Sequence, residues 1–255
     1  MIKRIVFELI VCSSFIFYNY GFSQKVNVKD SSISVAMFTA NYAFQIPGGD
    51  LAKRFGANSS IGSNFMIKTK KNFLFGVDGN FIFGSQIKED SLFANIATSD
   101  GHIINANGEF ADVRTYERGF NTSFKAGKIF PLLGPNPNSG FVFLGSVGLL
   151  QHKIRIETPG NTVPALKGDY KKGYDHLTNG LCVSEFVGYM YFGNKRLVSF
   201  YAGFEFMQAW TQCRRDFNYS TMTRDNTKRF DLMNGLKVGW IIPLYLRTAN
   251  SYYYY

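Results

Sequence analysis

The sequence predicts an all-β fold: an eight-stranded antiparallel up-and-down β-barrel that crosses a membrane. Three observations predict it. Aromatic residues make up 17% of the 255 positions, with Phe 26 and Tyr 15, and Gly is frequent at 25. Aromatic side chains favour strands, and glycine serves turns and close packing. Stretches of two-residue alternation recur along the chain, one face aromatic or aliphatic and the other small or polar. Finally, the connections between these stretches alternate strictly between short and long. In an up-and-down sheet alternate connections lie at the same end, so the long loops collect at one rim and the tight turns at the other. The length suits one compact domain or two small ones. The aromatic content argues against disorder, and the missing Ala/Leu/Glu/Lys background argues against a helical bundle.

Taken in order, the predicted strands are residues 32–45, 59–68, 73–85, 116–130, 141–154, 181–192, 198–213 and 232–245. The third is the clearest. Phe73, Phe75, Val77, Phe81 and Phe83 share one face with Gly79, while Leu74, Gly76, Asp78, Asn80 and Ile82 share the other. The seventh sets Phe200, Ala202, Phe204, Phe206 and Trp210 opposite Tyr201, Gly203, Glu205 and Met207. The eighth sets Leu232, Leu236, Val238, Trp240 and Ile242 opposite Gly235, Lys237 and Gly239. Short connections fall at Thr69-Lys70-Lys71-Asn72, at residues 131–140 and at Gly193-Asn194-Lys195-Arg196, each with turn-forming residues. Long polar ones cover about 46–58, 86–115, 155–180 and 214–231. Within the longest, Asp100-Gly101 and Asn107-Gly108 are expected to turn a small hairpin above the membrane.

Lipid cannot satisfy backbone polar groups, so a spanning sheet must close on itself. Side chains then alternate between lipid and lumen, and the lumen of an eight-stranded barrel is just wide enough to be filled by side chains. The charged residues assigned to the lumen are Asp78, Glu117, Lys125, Glu185, Glu205 and Lys237. Both signs occur, so they can pair as an interior network. A single buried charge would cost several kcal/mol.

Residues 1–23 read as a secretory signal peptide and residues 24–255 as the barrel. Lys3 and Arg4 precede an apolar stretch, and Gly21-Phe22-Ser23 offers small residues for cleavage before Gln24. An uncleaved anchor is disfavoured because the apolar run is short. A lipoprotein signal at Cys12 is disfavoured by the bulky Val11. The remaining cysteines, Cys182 and Cys213, sit out of register in this strand arrangement and are expected as free thiols, Cys182 facing a residue near Met207.

Beyond these patterns, the chain resembles small outer-membrane β-barrels of the OmpA/OmpX-like kind, and more narrowly those of this size in the Bacteroidota. The stretches that carry the resemblance are Phe44-Gln45-Ile46-Pro47-Gly48-Gly49-Asp50 leading to Arg54-Phe55-Gly56, Gly134-Pro135-Asn136-Pro137-Asn138-Ser139-Gly140, Gln151-His152-Lys153-Ile154-Arg155-Ile156, Lys172-Gly173-Tyr174-Asp175 with Leu177-Thr178-Asn179-Gly180, and Gly239-Trp240-Ile241-Ile242-Pro243. The resemblance implies an outer-membrane location, long loops at the cell surface and a structural or interaction role without catalysis. One departure is the tail past Leu246 to Tyr252–Tyr255: either these tyrosines are the insertion signal or the last strand ends later. The same bacterial group glycosylates Asp-Ser/Thr followed by an apolar residue, and Asp90-Ser91-Leu92 makes Ser91 a candidate for O-glycosylation.

The net charge of +10 is compatible with nucleic acid or an anionic membrane surface. Export and the absence of a recognition signature disfavour nucleic acid. Arg214, Arg215, Arg224, Lys228 and Arg229 crowd one long loop and Lys167, Lys171 and Lys172 another, where lipopolysaccharide phosphates would dock or where the charges are simply solvated. Expected partners are therefore outer-membrane lipid and lipopolysaccharide, with protein partners at the turns Lys70-Lys71 and 131–140. No cofactor, metal site or catalytic residue is expected. An alternative role is an accessory subunit of a type IX secretion or gliding apparatus, of the PorG or PorT type. Another is a narrow conduit or a lipid A-modifying enzyme, for which His152, His176, Ser184 and Glu185 form a conceivable set.

Overall fold

The computed structural model describes residues 31–161, 163–193 and 198–244. The signal segment 1–23, the turn residues 194–197 and the tyrosine tail lie outside the described residues. Eight strands pair with their sequence neighbours, and the last pairs with the first, giving a closed barrel. They are β1 (Val35–Gly49), β2 (Asn58–Lys68), β3 (Phe73–Gly84), β4 (Arg114–Phe130), β5 (Gly140–Glu157), β6 (Thr178–Phe192), β7 (Ser199–Cys213) and β8 (Lys228–Leu244). Every pairing is antiparallel.

Burial follows the predicted two-residue period, with inverted polarity. The outer wall exposes Phe38, Phe75, Phe124, Val147, Phe204, Trp210 and Trp240, with Phe124 at 71%. The inner face buries Asn41, Asn64, Asp78, Asn121, Lys125, Glu205 and Lys237. An apolar exterior around a polar interior is the arrangement a hydrocarbon solvent selects.

The first short turn is built as its residues require. Thr69 N–H donates to the Phe73 carbonyl and Asn72 N–H to the Thr69 carbonyl. Asn72 sits at φ +62, a left-handed backbone that Asn tolerates. At the upper end, several strands outrun the sequence expectation. β4 starts at Arg114, β5 continues to Glu157, β8 starts at Lys228 and β1 continues to Gly49. Greasy alternation marks only the segment facing lipid. Above it the ladder continues through outward polar side chains such as Arg118 opposite Lys153 and Tyr116 opposite Arg155, where the outward face is no longer apolar. β1 outruns β2: its β2 partners end at Gln45↔Asn58, while its β8 partners continue through Pro47↔Met233 to Gly49↔Asp231.

The β6–β7 register places Cys182 opposite Ala209 and Thr178 opposite Cys213. The expected partner of Cys182 was two residues away, because the ladder sets Phe192 opposite Ser199 rather than centring on Gly193-Asn194. Both cysteines are buried thiols.

Candidate functional site

Three stacked layers fill the barrel. Nearest the short turns, Met37, Met66, Leu74, Ile129, Phe186, Met190 and Ile241 form an apolar layer. Inner-face glycines make room for its rings. A Cβ on Gly239 would lie 2.3 Å from the Tyr201 ring, and one on Gly203 would lie 2.8 Å from Phe186 Cζ. Below this layer, Lys68 Nζ donates to Asn138 Oδ1 at 2.8 Å, the Ile33 carbonyl at 3.0 Å and Ser32 Oγ at 3.2 Å. Asn138 Nδ2 in turn holds the Ser31 carbonyl at 2.9 Å. The segment entering β1 and the β4–β5 turn thus close the lower mouth together.

The middle layer is ionic. Lys125 Nζ lies 2.7 Å from Asp78 Oδ2 and 3.4 Å from Glu205 Oε1. Lys237 Nζ lies 2.9 Å from Glu205 Oε1 and 3.8 Å from Asp78 Oδ2. All four residues are buried, and two charges of each sign cancel. Ser123 Oγ and Asn80 Nδ2 add donors to Asp78. Three of the four strands have an apolar residue of the lower layer on one side of the charge and of the upper layer on the other: Leu74 and Ile82 around Asp78, Tyr201 and Met207 around Glu205, Ile241 and Met233 around Lys237.

The upper layer joins strand side chains to the long connections. Ile82, Leu150, Ile154, Met207 and Met233 pack with Leu51, Phe55, Leu92, Ile103, Val163, Leu166 and Tyr174. The first connection folds into a four-residue helical turn, α1 (Leu51–Arg54), with Leu51 and Arg54 buried. Asn105 and Gly108, the latter at φ +81, turn a small hairpin bridged at Ile104↔Phe110. The Asn107-Gly108 pair therefore turns a hairpin as expected.

One cluster ties all four long connections together. Arg54 Nε pairs with Glu89 Oε1, and its Nη1 donates to Thr178 Oγ1 at 3.2 Å. The other Glu89 oxygen lies 2.8 Å from His176 Nδ1. His176 Nε2 lies 3.0 Å from both Asn218 Oδ1 and Ser220 Oγ. Burial opposes ionisation of Glu89, but the His176 hydrogen bond and the Arg54 charge outweigh it and bring its pKa down to about 2. Beside this cluster Arg215 pairs with Asp175, and Tyr174 packs edge-on against Tyr219.

Of the six residues assigned to the lumen, Asp78, Lys125, Glu205 and Lys237 come together as described. Glu117 is buried higher in the lumen and accepts from Asn58 Nδ2 at 3.0 Å. Glu185 is a correction: it lies on the outer wall between Val183 and Val187, where Gln208 Nε2 donates to its Oε2 at 3.2 Å. The inner face of β6 is itself bulky and apolar, with Phe186 and Met190, so charge alone misassigned the face. The parity of Leu181 and Val187, both exposed, is the signal that identifies it.

The conceivable His/Ser/Glu set is not assembled. His152 pairs with Asp231 at 3.1 Å inside the barrel, His176 belongs to the loop cluster, and Ser184 bonds Ser146. In the basic loop, Arg214 holds Asn179, Arg215 holds Asp175 and Arg229 holds Asp225, while Arg224 and Lys228 are exposed. Ser91 is exposed beside the buried Leu92. Sequence reasoning missed Arg54, Glu89 and the outward row Arg118, Lys153 and Arg155 at the upper rim. Lys153 and Arg155 continue the parity of Val147 and Leu149 past the apolar belt, which is the signal that reveals them.

No known protein family matches the chain, and no curated protein does. Among solved structures, the chain is similar to the Neisserial surface protein A, at 14% identity and a TM-score of 0.42, covering 81% of this chain and 96% of that one. It is also similar to Ail, the attachment invasion locus protein of Yersinia pestis, at 8% identity and 0.39, covering 82% and 99%. A third is the outer membrane protein OprG from Pseudomonas aeruginosa, at 9% and 0.40, covering 84% and 99%. Likenesses of this size carry nothing about ligand or partner. The eight-stranded closure rests on the strand pairings of the chain itself.

Proposed function

We propose that the chain is an outer-membrane barrel with a structural and interaction role. Its wall anchors it in lipid, its lumen is filled, and its long loops present a fixed surface outside the cell. The observation that carries this reading is the lumen closed in three layers under a cap whose four loops meet at Glu89 and His176. An eight-stranded lumen lined by packed side chains leaves no room for a wide pore. In the cap, Ser220 Oγ and Glu89 Oε2 lie on the two nitrogens of His176, but Ser220 Oγ also donates to Asn218 Oδ1 at 2.7 Å, and we read the set as a tie between loops rather than as a nucleophile with its base. At the upper rim, Arg118, Lys153 and Arg155 stand on the outer wall just above the apolar belt, and lipid phosphates sit at that level. Together with the exposed Arg224 and Lys228 they form the surface we assign to lipopolysaccharide contact. Ser91 remains an exposed position for glycosylation, and the turns at Lys70-Lys71 and 131–140 remain the lower contact surfaces.

The test is folding into lipid vesicles. The unboiled protein is expected to migrate differently from the boiled protein on a gel. Its only tryptophans, Trp210 and Trp240, face outward, so lipids carrying bromine on their acyl chains should quench its fluorescence. Planar bilayers should show no stepwise conductance. Solubility without detergent would refute the membrane reading, and porin-like steps would refute the filled lumen.

A further inference from the structure

The outer wall is not uniformly apolar. On β1 to β5, the outward residues in the middle of the belt are aromatic, aliphatic or small: Ala40 and Phe44 on β1, Ser63 on β2, Gly79 on β3, Thr122 on β4, Val147 on β5, with the polar Lys128 and Gln151 toward its two ends. Three consecutive strands differ. β6 turns Glu185 outward, β7 turns Gln208 and β8 turns Asn234. Glu185 is the one acidic or basic side chain, tyrosine phenols aside, in the middle of the belt among the described residues. Below it on the same face of β6 come Val187, Tyr189 and Tyr191, and above it Val183 and Leu181. At about 3.3 Å rise per residue and a tilt near 40°, that places its carboxylate roughly 10 Å below one end of the outward apolar run and 15 Å above the other. This is near the centre of a hydrocarbon band about 25 Å tall.

An ionisable group facing lipid at that depth is disfavoured unless something covers it. Gln208 covers it in part. One N–H of the amide reaches Glu185 Oε2 at 3.2 Å. That contact leaves Glu185 Oε1, the second N–H and the amide oxygen of Gln208, and the Asn234 amide one strand further on, without an apolar excuse for their position. The wall beside the pair is also uneven. Gly145 stands directly across from Glu185 on β5, and a Cβ built there would find its nearest atom at 3.9 Å. On the other side Phe204 and Phe206 project, at 55% and 42% exposure. A recess and a ridge thus flank the polar pair.

We propose that the β6–β8 face is a two-fold interface between two copies of this chain in the membrane. The inference rests on the reading of the wall as lipid-facing. A second copy is the occupant because the patch is complementary to itself. Gln208 supplies two N–H donors and Glu185 supplies acceptors, so one N–H serves the carboxyl of its own chain and the other serves that of the second copy. A two-fold makes the same exchange twice, since such a contact uses one patch on both subunits. It also sets the projecting phenylalanines of each copy on the Gly145 side of the other. No chemistry is needed that the chain lacks.

The experiment compares the wild type with Glu185→Leu/Gln208→Leu, and with a control, Thr122→Leu, on the opposite wall. Each is folded into vesicles and into detergent, and heat-dependent gel migration is recorded first to establish that the barrel has formed. Sedimentation in detergent and energy transfer between labelled copies in vesicles then give the monomer–dimer equilibrium. The expected result is a dimeric wild type and control, and a double variant that forms the same barrel but dissociates at least tenfold more readily. A bifunctional thiol reagent should link copies through Val187→Cys and not through Phe75→Cys. The proposal is overturned by a folded wild type that is monomeric in vesicles, by a double variant that dimerises as well as the wild type, or by a stoichiometric complex with a different protein on this face. A wild type that shows no heat-dependent migration and does not enter vesicles refutes the membrane reading itself.

Discussion

Replacing Glu205 by glutamine tests whether the lumen is as dry as its packing implies. Glu205 is 3% exposed and meets Lys237 at 2.9 Å and Lys125 at 3.4 Å. Glutamine keeps the shape and can still accept a hydrogen bond, but it leaves two buried lysines facing the single carboxylate of Asp78. At an effective dielectric of about 20, two unit charges about 3 Å apart attract by roughly 5 kcal/mol. Glu205 has two such neighbours, and its repulsion from Asp78 and the bonds that glutamine retains offset much of their sum. Removing one partner of a buried pair costs about 3–5 kcal/mol. The folding equilibrium in vesicles should therefore fall by roughly two to nearly four orders of magnitude. Urea titration followed by gel migration and tryptophan emission measures it. Glu205→Leu with Lys237→Met removes one charge of each sign and leaves Lys125 and Asp78 paired at 2.7 Å. That double variant should recover to within about 1–2 kcal/mol of wild type, because a buried pair replaced by apolar groups of similar volume is often neutral. A loss below about 1 kcal/mol for Glu205→Gln would mean that water screens the four charges, and the filled-lumen reading would fail.

Three further outcomes follow from the geometry. Phe124 is the most exposed aromatic residue of the wall, so Phe124→Arg should cost about 2–4 kcal/mol on the same urea assay, whereas a soluble barrel would tolerate it. Gly49 has φ +58, and a Cβ there would lie 2.3 Å from the Phe230 carbonyl. Gly49→Ala should cost about 1–3 kcal/mol through that strain, read as a lower urea midpoint. The Glu89 carboxyl titrates near 2 in the folded cap against an ordinary value of 4.5. Its contribution is therefore fully present above about 4.5 and is lost as pH falls toward 2. Hydrogen exchange of the long-loop amides should accelerate over that window, and Glu89→Gln should remove the dependence. An unchanged profile in the variant would assign the effect elsewhere.

The barrel was legible because its solvent imposes a strict period. Phe73 to Phe83 and Phe200 to Trp210 reveal their faces at sight, and the alternation of short and long connections fixes which rim carries which. The interior charges on those strands, Asp78 and Glu205, followed from the same parity. Glu185 did not, because β6 has apolar residues on both faces and its neighbours are valines rather than phenylalanines. The loop cluster was illegible for a different reason. Arg54, Glu89, His176 and Asn218 come from four separate connections, and no periodicity relates residues whose meeting depends on tertiary folding. Likewise the upper ends of β4 and β5 carry Arg118, Lys153 and Arg155 on a ladder that no longer touches hydrocarbon, so the pattern that located the strands stops before the strands do.

Closure through β1 and β8 makes the eighth strand worth far more than its share of the sheet. It is the keystone of the ring, hydrogen-bonded along its length to β1 on one side and β7 on the other. A chain that ended before Lys228 would bare two rows of amides and carbonyls to oil at once and would also lose Lys237 from the ionic layer. Seven strands without β8 leave two open edges in the sheet, so closure of the ring waits for the last strand.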